Sequence, residues 1–195
     1  SGCNARIIFP SSRLVYKGSV HPLQEDSDKL PKTIYAVQKL AAEQCLWAYH
    51  NSFGIRYTVF RISLPYGDLF DPSYFKGNMG LFLDRARNGQ DINVYGDGEF
   101  RRTFTHIEDL CNSMIQAIHL EETCNQTYNI GGEDLSLLDV ARLIAGKHGV
   151  GLNHIEWPEN DLRIETGHTV LDSGKLEKLI RYTHRHRLAK WIEAL

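Results

Sequence analysis

Short β-branched apolar runs alternate with longer amphipathic stretches along most of this chain, and that alternation decides its fold class. "ARIIF" at 5–9 has the pattern of a buried strand, bounded by polar residues before it and Pro10 after it. A polar loop rich in Ser, Pro, Asp and Lys runs from Pro10 to about Lys32. A helix is expected next: Thr33 suits an N-cap, Ile34, Val37, Leu40, Ala41, Leu46 and Trp47 form an apolar face, and Gly54 suits the C-cap. "IRYTVFRIS" at 55–63 alternates and reads as a second strand, and "LPYGDLFDPSYFKGN" at 64–78 as loop.

The pattern then repeats. "MGLFLDRARNG" predicts a helix ending at Gly89, "INVYG" a short strand, "GDGEFRR" a tight turn and "TFTHI" another strand. "EDLCNSMIQAIHLEE" is amphipathic, with Leu110, Met114 and Ile118 on one face. "TYNIGG" predicts a strand, and "SLLDVARLIAGKHG" a helix with Ser136 as N-cap and Asp139 in its first turn. The last quarter reads as irregular, then helical. Such alternation implies an α/β fold with a mostly parallel sheet. In these sheets ligands sit beyond the carboxyl ends of strands, which is where "PSSRLVY" and "LPYG" are delivered.

Composition narrows the function classes. Hydrophobic residues make up 42% and charged residues 24%, enough for a real core. A formal net charge of -2 and the lack of a long basic run argue against nucleic acid as partner. The cluster "RYTHRHR" at 181–187 reads as a solvated, dipole-compatible helix face. Cys3, Cys45, Cys111 and Cys124 are scattered without CxxC spacing, so no metal is assigned; "HRH" at 184–186 is a poor ligand pattern. Cys45 and Cys111 sit in apolar helical patterns and are expected in the core. No signal peptide or membrane span is evident, so a reducing cytoplasm is expected, with no membrane partner.

"TIYAVQKLAAE" at 33–43 places Tyr35 and Lys39 one helical turn apart on one face. An ammonium beside a phenol favours the phenolate, and such a phenol can serve as a general acid/base. The spacing alone is equally that of two exposed helix residues. Its company changes the reading. "IIFPSSRLVY", "FRISLPYG", "GDGEFRRTFTHIEDL", "YNIGGEDLSLLDVARLI" and "LDSGKLEKLI" occur in that order. Together they resemble the extended short-chain dehydrogenase/reductase family, the NAD-dependent epimerases and dehydratases of nucleotide sugars, over nearly the whole chain.

The resemblance implies the C-terminal part of a Rossmann-like parallel sheet with a smaller α/β substrate-binding domain. Residues 1–66 would belong to the NAD-binding part and 67–195 mainly to the sugar-nucleotide part, with about 103–131 returning to the first. It makes Tyr35 the acid/base, Lys39 the partner of the nicotinamide ribose and Ser12 the hydroxyl that bonds the reacting sugar hydroxyl. Arg102 would pair with the diphosphate, with Asn78 nearby and Arg163 as a second phosphate arginine, while Asn93 and Tyr95 would lie along the base. It further implies a homodimer formed through the outer faces of about 33–50 and 79–88, and turnover by reversible hydride transfer.

The departures matter too. Leu14 stands where the 4,6-dehydratases carry an acid, which favours an epimerase or a reductase. Leu64 replaces a family Asn, Thr103 replaces the Asp of an Arg-Asp pair, and Lys17 intervenes between Tyr16 and Gly18. No GxxGxxG occurs, so the residue that selects NAD or NADP is not in this sequence, and the expectation is that roughly the first third of a family member is missing. The expected function is that of a C-terminal fragment of an NAD-dependent nucleotide-sugar epimerase, similar to the UDP-sugar 4-epimerases and inactive in isolation; an NADPH-dependent reductase, or a sugar-nucleotide-binding fragment without turnover, are the alternatives.

Overall fold

The computed structural model describes residues 5–67 and 77–195. Most of the expected loop at 64–78, and Cys3, lie outside the described residues. Three small sheets organise the described residues. In the first, β1 (Arg6–Ser12), β2 (Arg56–Ile62) and β6 (Gln126–Asn129) run parallel in the order β1-β2-β6. β2 is buried from Tyr57 through Arg61, as a central strand covered on both faces must be. Pro10 is accommodated inside β1 because that strand has one partner, β2, among the described residues.

The second sheet orders β3 (Leu64–Tyr66), β5 (Arg101–His106) and β7 (Glu133–Ser136), with β3 parallel and β7 antiparallel to β5. β3 corrects the expected loop: Pro65 argued against a strand, but three residues suffice to pair with Phe104–His106. The third sheet pairs β4 (Ile92–Tyr95) with β8 (Leu152–Ile155), the latter in a stretch expected to be irregular.

Local signals set the helix ends. In α1 (Ile34–Phe53) the Thr33 side chain accepts from the Ala36 N–H at 3.1 Å, and Gly54 closes the helix at φ 67°. α2 (Gly77–Arg87) packs on α4 (Leu137–His148), which Ser136 and Asp139 cap reciprocally. α3 (Ile107–Ile118) lays Leu110, Met114, Ala117 and Ile118 against Phe60, Tyr128 and Ile130. A second core gathers Phe82, Leu83, Val94, Phe104 and Ile144 under α7 (Leu188–Ala194). Two short helices, α5 (Glu159–Ile164) and α6 (Gly174–Glu177), complete the described elements in the last quarter.

Two expectations about cores fail. The buried side of α1 carries Ala36 and Glu43, while Ile34, Val37 and Trp47 are exposed. Cys45 and Cys111 are exposed as well. Apolar neighbours in sequence gave the right period but the wrong phase, because the face that packs on β1 and β2 is chosen by a polar network, described below. α2 behaves oppositely: Met79, Phe82, Leu83 and Ala86 are consumed by its own core.

The C-terminal segment is tied to the first turn of α3 by Asp109, which is 1% exposed. Its carboxylate accepts from Tyr182 Oη, from the His186 ring at 2.9 Å, and from the Arg185 and His186 N–H groups at 3.0 Å each. Burial pushes this carboxyl up, but the bonds from Tyr182 and His186 outweigh it and hold it down at about 2. A depressed carboxyl stabilises the fold above its unfolded value of about 4, and that contribution is lost as pH falls toward 2. Urea denaturation is therefore expected to show roughly 2 kcal/mol less stability near pH 2 than above pH 5 from this group. An Asp109→Asn variant should show that much less acid sensitivity; an unchanged pH profile would remove Asp109 from the account.

Candidate active site

Ser12 ends β1 and is 7% exposed. Its Oγ accepts from the Leu14 N–H at 3.2 Å, which caps a short 3₁₀ turn at Arg13–Val15. Tyr35 lies in the first turn of α1 and is 50% exposed. Lys39, one turn on, donates from Nζ to Pro10 O at 2.7 Å. The same ammonium lies 4.9 Å from the Phe9 ring centroid and 5.6 Å from that of Tyr35. Lys39 is thus anchored to the strand two residues before Ser12, so β1 and α1 present Ser12, Tyr35 and Lys39 from adjoining elements. One of three ammonium N–H groups is spent on Pro10, and two remain for a ligand. Beside a half-exposed phenol, that donor set suits the hydroxyls of a ribose.

A buried polar network holds α1 against the sheet. The Glu43 carboxylate receives Arg61 Nε at 3.0 Å and Nη2 at 2.6 Å, and also Ser11 Oγ. Arg61 Nη1 donates to Tyr16 Oη at 2.7 Å, and Tyr16 Oη donates to Asn129 Oδ1 at 2.7 Å. Burial pushes the Tyr16 phenol up to about 12, so it remains a donor at neutral pH. This chain of bonds links α1 to all three strands of the first sheet.

The residues expected to grip a nucleotide diphosphate are placed unequally. Tyr95, at the end of β4, packs at a tilt against Trp157, ring centroids 5.0 Å apart and planes 33° apart; Trp157 lies 6.2 Å from Phe100, and the Arg102 guanidinium sits 5.7 Å from the Phe100 centroid. Gly96 permits that contact, since a Cβ there would lie 2.8 Å from the Trp157 ring nitrogen. Asn93 is partly buried opposite Asn153. Asn78 is exposed in the first turn of α2. Arg163 is exposed and paired with Glu159 on its own helix.

Arg102 itself is 2% exposed and donates to Glu165 Oε1 at 2.6 Å and to the carbonyls of Gly167 and Arg101. Burial lowers its pKa while Glu165 opposes the change. Thr103, in the place of a carboxylate, accepts from the Leu171 N–H at 2.7 Å and so anchors the segment opposite. Sequence reasoning passed over three residues here: Arg13, Trp157 and Glu165. Arg13 adjoins Ser12 inside the motif, and that adjacency was a usable signal; the other two carried none.

His106, Glu108 and His186 bring potential metal-ligand atoms within 4.8 Å of one another. The two imidazoles, however, stack with centroids 3.9 Å apart and planes 17° apart. Lone pairs lie in the ring planes, and two near-parallel planes share no point at metal-bond distance from both rings. In this arrangement the pair cannot jointly ligate one ion.

Known proteins resemble this chain. The chain is 27% identical over 177 residues to a putative UDP-glucose 4-epimerase of Methanocaldococcus jannaschii, covering 89% of this chain and 56% of that protein. It is 30% identical over 166 residues to a dTDP-glucose 4,6-dehydratase of Streptomyces niveus, covering 83% of this chain and 47% of that protein. The chain therefore spans about half the length of these curated relatives. The crystal structure of UDP-glucuronic acid 4-epimerase from Bacillus cereus, in complex with UDP-glucuronic acid and NAD, superposes with a TM-score of 0.84 at 24% identity, over 97% of this chain and 59% of that one. That likeness shows the fold: an α/β, Rossmann-type architecture. Residues 1–131 match the profile of the NAD dependent epimerase/dehydratase family, a family of enzymes. With the Tyr-Lys helix, the serine at the strand end and this match in agreement, the chain belongs to the NAD dependent epimerase/dehydratase family.

Proposed function

We propose that these residues carry the proton-transfer and sugar-nucleotide-binding parts of a UDP-sugar 4-epimerase. The observation behind the reading is the anchoring of Lys39 beside Tyr35 and against the strand that ends in Ser12. Tyr35 accepts the proton of the sugar C4 hydroxyl and returns it. Ser12 holds that hydroxyl, and Lys39 steadies the phenolate and offers its two remaining N–H groups to a ribose. When bound, NAD supplies reversible hydride acceptance; NADP is the alternative, since the selecting residue is not in this sequence. Arg102, with Tyr95, Trp157 and Asn93, serves the nucleotide diphosphate and base, and Asn78 and Arg163 lie at the margin of that role.

In this reading residues 1–66 belong to the cofactor-binding part, and 67–195 mainly to the sugar-nucleotide part, with about 103–131 returning to the first. A homodimer through α1 is supported by its exposed Ile34, Val37 and Tyr49; the 79–88 face has less to offer, since only Leu81 among its large apolar residues stands out. A cytoplasmic setting fits the exposed free thiols Cys45 and Cys111, and no helix among the described residues is long and apolar enough to cross a membrane.

Nicotinamide cofactor released on denaturing the purified protein tests the reading first. A near-stoichiometric yield would mean that the dinucleotide site is completed, and interconversion of UDP-glucose and UDP-galactose is then the expected next result. A chain that binds UDP yet neither carries nor takes up NAD would instead be a sugar-nucleotide-binding module without turnover.

A further inference from the structure

Arg13 follows Ser12 directly, and its side chain crosses to a segment distant in sequence. Nη1 donates to Thr169 Oγ1 at 2.7 Å and approaches Thr166 Oγ1 at 3.5 Å. The same segment supplies Glu165 and Gly167 to Arg102, and the Thr169 N–H bonds Arg101 O at 2.9 Å. Two guanidiniums from separate elements therefore converge on residues 165–169. Glu165 is the carboxylate that acts on both. Burial, then the charge of Arg102, push the Arg13 pKa down to about 9, with only Glu165 pulling back among the principal influences. Both arginines stay charged at neutral pH, and one carboxylate leaves the cluster with excess positive charge.

Glu165 Oε1 is bound as a ligand anion would be. It accepts from Arg102 Nη2 at 2.6 Å, from the Thr166 N–H at 2.8 Å and from the Gly167 N–H at 2.9 Å. A planar guanidinium presents a donor fork that matches phosphate as well as carboxylate oxygens. Arg102 has three of its five N–H groups committed to Glu165 and to two carbonyls, so the Nη1 end of its fork is closed to a diphosphate and Glu165 competes for Nη2.

We propose that Arg13 and Arg102 form one anion site for the substrate diphosphate, and that the Glu165 carboxylate is its resident anion, displaced when the diphosphate binds. The inference rests on the nucleotide-sugar reading and extends it to two further residues, Arg13 and Glu165. Displacement exchanges a single negative charge for a more highly charged group, so the excess positive charge is matched only in the bound state. The threonine hydroxyls on Arg13 are weak tethers that phosphate oxygens can replace. The segment 165–169 then withdraws with Glu165, and Arg13 turns from tether to ligand-binding side chain.

Calorimetric titration of the purified chain with UDP tests this. Glu165→Gln keeps an oxygen for the two backbone N–H groups but removes the competing charge, and is expected to tighten UDP binding roughly three- to tenfold. Arg13→Gln is expected to weaken it about 10- to 100-fold and to flatten its salt dependence, with Arg13→Lys, which keeps charge but not the fork, in between. Thermal melts run in parallel identify any variant that fails to fold, and the Lys variant then carries the test. Weaker binding by Glu165→Gln, or UDP affinities within about twofold for all variants, would overturn the proposal. A sugar carboxylate has the same chemistry: were the Arg13→Gln loss confined to UDP-glucuronate and absent for UDP, the diphosphate assignment would fall. An unaltered chain that binds no UDP would fail the nucleotide-sugar reading itself, a different result from unchanged variants.

Discussion

In a full-length protein containing this sequence, the proposed acid/base role of Tyr35 predicts that its replacement by Phe reduces turnover roughly 100- to 10,000-fold. The substitution removes one oxygen from a half-exposed side chain whose ring already contacts the Lys39 ammonium, so packing and fold should be unaffected. UDP-sugar affinity should stay within about threefold, because the hydroxyl is proposed to act on the reacting proton and not on the diphosphate or base. The pairing of outcomes is the diagnostic. A loss in kcat with binding intact fits an acid/base; a loss in binding with kcat intact would make Tyr35 part of the grip on substrate. Turnover within about twofold of the unaltered enzyme would remove Tyr35 from the mechanism.

The second large effect concerns the fold that holds this site. Glu43→Ala is expected to destabilise the protein by about 3–5 kcal/mol, because it leaves the Arg61 guanidinium buried and without its carboxylate. Arg61 and Glu43 side chains are 5% and 7% exposed, and the pair is bidentate at 3.0 and 2.6 Å. A loss of that size is a large share of the roughly 5–15 kcal/mol that stabilises a typical domain. It should appear as a lowered urea midpoint and reduced yield of folded protein. The double variant Glu43→Leu, Arg61→Met removes both charges and should recover part of the loss. It would not recover all, since Arg61 also donates to Tyr16 Oη and to Glu25 O. A single-variant loss below about 1 kcal/mol would show the network to be dispensable, as for a surface pair.

Some of this was readable along the chain. Thr33, Gly54, Ser136 and Asp139 cap their helices as their types suggest, because capping is a bond between residues three or four apart. The central strand at 56–62 and the amphipathic α3 followed from period alone. Tyr35 and Lys39 are neighbours by helix geometry, and the Lys39 bond to Pro10 joins elements that follow one another closely. β3 escaped notice because its pairing with β5 is made by residues about forty positions away, and Pro65 within it signals a turn.

Other features have no local signature. A helical period locates a stripe but not the side that will be covered; Glu43 is buried because Arg61, eighteen residues on, is there to meet it, and Ile34 and Cys45 are left outside for the same reason. The sequence by itself determined the helices α1 to α4, the strands β1, β2, β4, β5 and β6, the caps that bound the helices and the Tyr-Lys pair, since each depends on contacts within a turn or two. Only the tertiary structure decided which charges meet: Arg13 with Thr169 across 156 residues, Arg102 with Glu165 across 63. Buried charge requires a partner but does not name one, and where the chain crosses itself is what supplies it.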